Sequence, residues 1–307
     1  MTSHAFSPSF LPGPRRRKDK SLRPILKDMS VAKKSWLITG CSSGLGRTLA
    51  EAVLARGDNA VITARNPDTV IDIARQYPNA ARAVALDVTE PGHASAAVAL
   101  AVETFGALDI LVNNAAYSIA GAIEEVSPEE YRPLFETNLF GLIETTRAAL
   151  PALRRRPDAR IVNISSVGGM DAHPGFGHYS ATKFAVEGIS EALAAEVGPL
   201  GIAVIVVEPG AFRTGVLGRI VESRTRLSEY ESTVGKSRAY LKDAAGKQPG
   251  DPRRGIAVLL RVVDSENPPF RLPLGADAFR RIRAKIARVA AEMADWESLG
   301  ADTDFPG

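Results

Sequence analysis

Short apolar runs alternate with longer segments of helical spacing from residue 35 onward, and this alternation constrains the fold more than any other feature. Runs of this length that are apolar throughout are typical of strands covered on both faces. Strand and helix alternating six times predict a parallel, doubly wound α/β sheet with helices on both faces. The runs are SWLIT (35–39), NAVITA (59–64), RAVALDV (82–88), DILVNN (109–114), RIVNIS (160–165) and IAVIVVE (202–208).

The longest helical segment, residues 127–150, carries the signals of a helix start. Ser127 stands at the N-cap, Pro128 at the first helical position and Glu130 three residues after the serine. This is the pattern of a capping box. Pro133 falls early in the same helix. Because proline removes a helical hydrogen bond and clashes with the preceding turn, we expect it to strain or kink the first turns.

The N-terminal segment differs from the rest of the chain. Residues 1–33 contain four prolines, a basic cluster at 14–20 and no periodic apolar pattern. This composition predicts a disordered tail, followed by one domain over residues 34–307. Met29 stands just ahead of the first strand and is a second candidate for the natural start.

Charge and cysteine content exclude several classes of protein. A formal net charge of +3 is too balanced to indicate a nucleic-acid partner. The single cysteine, Cys41, excludes an internal disulfide and a cysteine-rich metal cluster, and it fits a reducing compartment. No apolar run approaches the roughly 18 residues of a membrane span. We therefore predict a cytoplasmic protein that binds neither a membrane nor nucleic acid.

A glycine-rich turn, TGCSSGLG (39–46), leads from the first predicted strand into the first helix. Gly40, Gly44 and Gly46 let the backbone approach a ligand closely. The start of a helix favours a pyrophosphate, because its free N–H groups and its dipole attract negative charge. The turn therefore predicts a dinucleotide site in a single-domain, Rossmann-type fold.

Tyr179 and Lys183 stand four residues apart in YSATK (179–183), at the start of another helix. Residues with this spacing lie one above the other on the same helix face. A free phenol has a pKa of about 10 and is a poor base at neutral pH. A lysine ammonium one turn away favours the phenolate, and the positive charge of a bound oxidised cofactor would add to its effect, so we expect the two together to draw the pKa of Tyr179 toward the working range.

Together these motifs resemble the classical short-chain dehydrogenase/reductase superfamily, across residues 34–275. The flanking residues look most like the branch of steroid and retinol dehydrogenases. One position departs from the family pattern, since Ala116 stands where the family usually has glycine. The landmarks that carry the resemblance are TGCSSGLG (39–46), LDV (86–88), NNAA (113–116), Asn138, ISS (164–166), YSATK (179–183) and PGAFRT (209–214).

The resemblance implies four catalytic residues, Asn138, Ser166, Tyr179 and Lys183. Tyr179 would be the general acid in reduction and the general base in oxidation, and Lys183 would also hydrogen-bond the nicotinamide ribose. Ser166, 13 residues before the tyrosine, would hold the substrate carbonyl or hydroxyl. Asn138 would hold a water that relays protons to Lys183. The alternative for Asn138 is a buried side chain satisfied by backbone partners.

The resemblance also implies a cofactor site and no metal. Tyr179 and Lys183 would contribute to that site together with the glycine-rich turn and the loops that follow the predicted strands. The remaining residues of the site would be Gly40, Ser42, Ser43, Gly44, Leu45, Gly46, Arg65, Asp87, Val88, Asn114, Ala115, Ala116, Pro209, Gly210 and Thr214.

The end of the second strand sets the preference between the two nicotinamide cofactors, because a carboxylate there accepts the ribose hydroxyls of NAD(H). Thr63 and Ala64 offer no carboxylate, and Asp58 lies at the wrong end of the strand. Arg65 can instead hold a 2′-phosphate through charge-assisted hydrogen bonds. Ser43 weighs against this, since many NADP-preferring relatives carry a basic residue there. We predict NADP(H), with NAD(H) as the alternative.

The expected substrate is a small hydrophobic ketone or aldehyde and the corresponding alcohol. This prediction depends on a mainly apolar set of lining residues without a fixed charge. Residues 213–250, after PGAFRT, are predicted to form a substrate lid. The expected lining residues are Tyr117, Ile119, Val167, Met170, Phe176, Phe212 and Val216.

Three functional classes stay open. The leading class is an NAD(P)(H)-dependent oxidoreductase. The second is an epimerase or dehydratase that uses the same tyrosine and lysine, although such relatives have a larger C-terminal domain and only 93 residues follow Thr214. The third is a non-catalytic, cofactor-sensing binding protein, although such proteins typically lose the tyrosine or the lysine.

The sequence also predicts a homodimer or homotetramer. The helical segments 128–150 and 179–198 resemble those that pair in oligomers of the family. FAVEGISEALAAEVG, in the second segment, keeps small and apolar residues at a spacing suited to close helix packing.

Overall fold

A computed structural model describes residues 33–215, 217–303 and 305 of the chain. Of the tail predicted over residues 1–33, only Lys33 is described, and Met29 and Val216 also lie outside the described residues. All six predicted strands form, and a seventh joins them in the main sheet. The strands are β1 (Ser35–Ile38), β2 (Asn59–Ala64), β3 (Ala81–Ala85), β4 (Ile110–Asn113), β5 (Ile119–Ala120), β6 (Ala159–Ile164), β7 (Ile202–Pro209), β8 (Val221–Glu222) and β9 (Arg271–Leu274).

The main sheet is parallel throughout, with the strand order β3-β2-β1-β4-β6-β7-β9. From β1 the chain adds strands in one direction, and from β4 it adds them in the other. In doubly wound sheets, ligands bind beyond the carboxyl ends of the strands at such a reversal. β5 and β8 form a separate parallel pair. The doubly wound, Rossmann-type α/β fold is thus confirmed.

Helices connect the strands and cover both faces of the sheet. The α-helices of the described residues are α1 (Gly44–Ala55), α2 (Ile71–Gln76), α3 (His93–Phe105), α4 (Pro128–Phe135), α5 (Gly141–Leu153), α6 (Gly177–Val197), α7 (Lys236–Ala244), α8 (Pro252–Val263) and α9 (Ala276–Gly300).

Two apolar cores lie on opposite faces of the sheet. Successive side chains of a strand point to opposite faces, so Ile38 and its neighbour Leu37 belong to different cores. On one face, Ile38 belongs to the same buried cluster as Leu49 of α1 and Leu259 of α8. On the other face, Leu37 shares a buried cluster with Leu153 of α5. The central strand β1 is therefore buried on both sides, as its apolar sequence requires.

The capping box predicted at Ser127 forms, with the Glu130 carboxylate accepting the Ser127 backbone N–H at 3.0 Å. Just beyond Pro133, the helix widens into a π-helical segment, Glu136–Phe140, before it continues as α5. Prolines and π-turns are recognised causes of irregular helices. The irregularity expected from Pro133 thus takes the form of a π-turn, and Asn138 lies within it.

β9 and α9 were not predicted from the sequence. The sequence of β9, RLPL, contains Pro273 and follows Pro268 and Pro269, and prolines at this density are typical of a loop. In the main sheet β9 pairs with β7 alone and forms the edge. Proline is tolerated on an edge strand because its missing N–H faces away from the sheet.

Candidate active site

The glycine-rich turn passes from β1 into α1 at the centre of the sheet. Gly40 and Gly44 have φ values of 71° and 62°, a region that L side chains rarely adopt. Ser43 is the N-cap of α1, but its side chain makes no capping hydrogen bond within the described residues. The first N–H groups of the helix are therefore free to bind an anion.

Gly46, in the first turn of α1, occupies a position with no room for a side chain. A Cβ atom at residue 46 would lie 2.4 Å from Asn114 Nδ2 and from the Gly40 carbonyl oxygen. Asn114 Nδ2 donates to the carbonyl oxygens of Thr39 and Gly40, at 2.8 and 2.9 Å. The hydroxyl of Thr39 accepts the backbone N–H groups of Asn114 and Ala115. Thr39, which the sequence analysis did not single out, thus joins the turn to the NNAA stretch.

A cavity of about 950 Å³ opens beyond the carboxyl ends of the central strands. Almost every residue predicted for the site lines it. Gly46 and Asn138 are the two predicted residues of the described chain that do not. The predicted residues in the lining are Gly40, Ser42, Ser43, Gly44, Leu45, Arg65, Asp87, Val88, Asn114, Ala115, Ala116, Ser166, Tyr179, Lys183, Pro209, Gly210 and Thr214.

Tyr179 lies in the first turn of α6, beside Ser166 at the end of β6. Burial raises the pKa of Tyr179, and a hydrogen bond from Ser166 opposes this only in part. Burial disfavours the charged phenolate, so the protein's own groups raise the pKa of Tyr179, and the fall expected with an oxidised cofactor stays a prediction. A raised pKa favours the neutral phenol, which can donate a proton.

Lys183 is 3% exposed and lies one helical turn beyond Tyr179. Its Nζ atom donates to the carbonyl oxygen of Ile164 at 2.8 Å and lies 5.9 Å from the centre of the Tyr179 ring. Burial lowers the pKa of Lys183 to about 8, against the attraction of Glu187, which raises it. Lys183 is thus fixed beside the tyrosine, with a pKa close to neutrality.

An acidic cluster lies behind Lys183. Glu187 of α6 and Glu208 of β7 both pair with the guanidinium of Arg271 in β9, the latter at 2.8 Å. Glu191 pairs with the same arginine at 3.3 Å. Burial raises the pKa values of Glu187 and Glu208. Because Arg271 lies in an unpredicted strand, this cluster could not be read from the sequence.

The side chain of Asn138 is 1% exposed and fully bonded within the protein. Its Oδ1 atom accepts the N–H of Tyr117 at 3.0 Å, and its Nδ2 atom donates to the Tyr117 carbonyl and to Thr182 Oγ1. These bonds hold the loop after β4 against α6. They match the alternative reading of Asn138, a buried side chain with protein partners, and give it a positioning role in this structure.

Arg65 lines the cavity at the carboxyl end of β2, as the sequence analysis placed it. Asp58 lies at the opposite end of that strand, where its carboxylate accepts Trp36 Nε1 at 2.9 Å. Asp87, in the loop after β3, also lines the cavity, and its Oδ1 atom accepts the N–H and hydroxyl of Thr89.

Arg219, in the predicted lid, reaches across to the glycine-rich turn. Its guanidinium donates to the hydroxyl of Ser43 and, at 3.2 Å, to the carbonyl oxygen of Thr214. Arg219, Ile220 and Val221 all line the cavity. From the sequence, Arg219 was predicted only as one residue of the lid, 213–250.

The apolar lining differs from the one expected. Tyr117 and Phe212 line the cavity, whereas four other expected residues of the described chain do not. Ile119 packs with Val126 and Leu134, while Val167 and Met170 pack against the first turns of α9. The unpredicted helix α9 thus covers residues that the sequence analysis had assigned to the substrate. The four residues are Ile119, Val167, Met170 and Phe176.

A buried ion pair anchors the predicted lid, residues 213–250, to the body of the domain. Arg238 of α7 pairs with Glu125 at 2.6 Å, and the two side chains are 7% and 0% exposed. The Glu125 carboxylate also accepts the N–H groups of Ala122 and Leu227, at 2.7 and 2.9 Å. Glu125 therefore ties both α7 and residue 227 to the loop that follows β5.

No helix of the described residues has the length and apolar character needed to cross a membrane. Residues 33–215, 217–303 and 305 contain no cluster of three or more His, Cys, Asp or Glu side chains placed to hold a metal ion.

Comparison with known proteins gives consistent matches. A family model described as short chain dehydrogenase matches residues 34–225. A 3-ketodihydrosphingosine reductase of Bacteroides thetaiotaomicron is 36% identical over 241 residues, 78% of this chain and 87% of that protein. The crystal structure of a short-chain dehydrogenase from Streptomyces avermitilis is 42% identical, with a TM-score of 0.83, covering 89% of this chain and 100% of that one. A 3-ketoacyl-(acyl-carrier-protein) reductase from Brucella melitensis, complexed with NADH, is 27% identical, with a TM-score of 0.67 and coverage of 78% and 96%.

Proposed function

The chain belongs to the short-chain dehydrogenase/reductase family, and on that premise we propose that it transfers hydride between NADP(H) and a hydrophobic ketone or aldehyde and its alcohol. The observation that carries this proposal is the meeting of Ser166, Tyr179 and Lys183 in one cavity with the glycine-rich turn. An acid–base group beside a dinucleotide site is what carbonyl reduction needs.

The site fits a nicotinamide dinucleotide in size and in chemistry. Its volume of about 950 Å³ lies near the upper end of the roughly 300–1,000 Å³ of ligand sites. The uncapped start of α1 suits a pyrophosphate. The residues that would hold the cofactor are those of the turn, Arg65, Asn114 and Lys183. When bound, the nicotinamide supplies or accepts the hydride.

Each catalytic side chain has a role that its surroundings support. In reduction, the neutral phenol of Tyr179 donates its proton to the substrate oxygen as that oxygen gains negative charge. Ser166, which hydrogen-bonds Tyr179, is placed to donate to the same oxygen. The ammonium of Lys183 stabilises the resulting phenolate. In oxidation the same groups act in reverse.

The preference for NADP(H) is proposed on the charges around the cavity. Arg65 stands at the end of β2, where residues 63–66 contain no carboxylate. Arg65 can hold a 2′-phosphate through charge-assisted hydrogen bonds. Arg219, beside Ser43 at the N-cap of α1, faces the pyrophosphate that both cofactors carry and does not discriminate between them. NAD(H) is the alternative, and one structural neighbour of the chain is complexed with NADH.

The proposed substrate is a hydrophobic carbonyl compound. Tyr117, Phe212, Ile220 and Val221 give the cavity apolar walls beyond the catalytic residues. One relative of the chain is named a 3-ketodihydrosphingosine reductase, which fits a ketone substrate. The residues that flank the motifs look most like those of the steroid and retinol dehydrogenase branch, and we propose that the chain is related to that branch.

We also propose a cytoplasmic homodimer or homotetramer that pairs through α4, α5 and α6. Phe184 and Ile189 of α6 are 43% and 40% exposed, and Phe140, between α4 and α5, is 48% exposed. Exposed apolar side chains on neighbouring helices favour an isologous interface. Light scattering that gives the monomer mass at micromolar concentration would contradict this assembly.

A substrate panel tests the proposed reaction. Ketones, aldehydes and quinones are added to the protein with NADPH or NADH, and the absorbance of the reduced nicotinamide is followed. We expect steady oxidation of NADPH with hydrophobic ketones or aldehydes. Tight cofactor binding without turnover of any compound would favour the cofactor-sensing alternative. Conversion of a sugar substrate with no net change in the cofactor would favour an epimerase or dehydratase.

A further inference from the structure

Within the described residues, the first half of the C-terminal helix α9 holds it to the domain, up to Arg288, which pairs with Asp171 at 3.7 Å. Ala278 and Ile282 are buried against Val167. Arg281 Nε donates to Asp171 Oδ2 at 3.0 Å, and Asp277 accepts the Ala211 N–H at 2.8 Å. These contacts fix where the helix begins and the direction in which it leaves the domain.

The second half of α9 extends away from the domain. Every residue from 290 to 300 is exposed. At about 1.5 Å per residue, this part of the helix is about 16 Å long. Helices this short are marginal in water without tertiary packing. A partner that covers one face would therefore stabilise it.

One face of α9 carries an apolar stripe with coiled-coil spacing. Its members alternate between steps of three and four residues, the a and d positions of successive heptads. Ile282 is 8% exposed because it packs on the domain, whereas Ile286, Met293 and Trp296 are 56%, 68% and 67% exposed. The stripe consists of Phe279, Ile282, Ile286, Val289, Met293 and Trp296.

The charges of α9 identify the partner. Residues 280–288 contain five basic side chains and no acidic one, whereas residues 289–300 contain three acidic side chains and no basic one. Two parallel copies of this helix would place like charges together. Two antiparallel copies would place the basic half of each beside the acidic half of the other. We propose that α9 pairs, antiparallel, with α9 of a second copy of this chain.

The stripe and the charges agree on one register. With the two-fold axis at the level of residue 291, Ile286 packs against Trp296 of the other copy, and Val289 against Met293. Arg283 then lies two residues along the helix from the level of Glu297 of the other copy, about 3 Å, at the edge of the seam. This interface belongs to the C-terminal helix, so it does not depend on the proposed catalytic function or on pairing through α4, α5 and α6.

Cysteine cross-linking tests the direction of pairing directly. Cys41, the single native cysteine, is 0% exposed and leaves the surface free of competing thiols. Under mild oxidation, Ala290→Cys should give a covalent dimer on a non-reducing gel. Glu297→Cys is the matched control, because two antiparallel copies hold residue 297 about 18 Å apart along the helix axis at 1.5 Å per residue. The combined variant Arg283→Cys with Glu297→Cys should cross-link again.

Two results would overturn the pairing. If Ala290→Cys stays monomeric on the gel, the two copies do not meet at this helix. If Glu297→Cys alone cross-links as readily, the helices are parallel and the charge argument fails.

The mass of the assembly provides a second test. Met293→Glu with Trp296→Glu should halve the mass measured by light scattering and keep the secondary structure and any hydride transfer. Arg283→Glu alone should weaken association, and adding Glu297→Arg should restore it. An unchanged mass in the glutamate variant, together with lost binding to vesicles of anionic lipid, would assign the stripe to a membrane surface and refute the proposal.

Discussion

The guanidinium of Arg219 donates a hydrogen bond to the hydroxyl of Ser43, although 176 residues separate them in the sequence. The contact joins the segment after β7 to the N-cap of α1, where a pyrophosphate would bind. Arg219 also lines the cavity. A bound phosphate can accept the hydrogen bond that Ser43 now receives, so we expect cofactor binding to change the position of this segment.

Arg219→Ala should raise the KM for NADPH and for NADH by similar factors, because both cofactors carry the pyrophosphate. A hydrogen bond to a charged group contributes about 1.5–3 kcal/mol, and each 1.4 kcal/mol is about tenfold in affinity. We expect roughly a tenfold increase or more. Arg226→Ala is the control, since Arg226 pairs with Glu222 in the same segment and does not line the cavity. Equal KM values in both variants would exclude Arg219 from the cofactor site.

Arg65→Asp should change the choice between cofactors instead of the affinity for both. The substitution removes the cation proposed for the 2′-phosphate and adds a carboxylate that can accept ribose hydroxyls. The ratio of kcat/KM for NADPH to that for NADH should therefore fall, with the fold unchanged. In the unmodified protein the preference for NADPH should weaken as salt rises. Equal kcat/KM for both cofactors in the unmodified protein would refute the NADP(H) assignment.

The sequence predicted the parts of the site that depend on local spacing. Tyr179 and Lys183 are one turn apart on any helix, and glycines after a first strand mark a nucleotide turn in any doubly wound sheet. Contacts between segments that are distant in the sequence could not be predicted in this way. Glu187 and Glu208 pair with Arg271, which lies in an edge strand whose prolines are typical of a loop. The cation beside Ser43 is Arg219, from a segment far along the chain.

The burial that raises the pKa of Tyr179 could not be predicted from spacing for a related reason. Spacing shows that Lys183 is near, but it does not show that the phenol is enclosed. The extent of that burial depends on how several segments pack around the ring.

Glu187→Gln should shift the pH dependence of reduction toward lower pH. Lys183 is protonated below its pKa of about 8, and Glu187 raises that pKa. Without the carboxylate the pKa falls further, so the ammonium is lost at lower pH and the alkaline fall in kcat/KM begins earlier. Glu191→Gln is the matched control, because Glu191 is an exposed partner of the same arginine. Identical pH profiles for both variants would remove Glu187 from the control of Lys183.

Arg238→Ala should destabilise the protein because it leaves the buried carboxylate of Glu125 without its cation. Removing one partner of a buried ion pair costs about 3–5 kcal/mol. The free energy of unfolding in urea should fall by this amount, and residues 213–250 should become sensitive to protease. The exposed pair of Arg226 and Glu222 should contribute only about 0–1 kcal/mol, so Arg226→Ala is again the control. Equal stability of the two variants would mean that Arg238 does not anchor the lid.

The central claim is that Tyr179 transfers the proton, and Tyr179→Phe tests it most directly. The phenylalanine keeps the ring and loses only the hydroxyl, so the fold and the dissociation constant for NADPH should stay unchanged. A general acid typically contributes about 10²–10⁴-fold, and we expect kcat for the best ketone or aldehyde of the panel to fall by this factor. Lys183→Ala should reduce both kcat and cofactor affinity, because Lys183 has both roles. Near-normal kcat in the phenylalanine variant, with NADPH still bound, would contradict the mechanism.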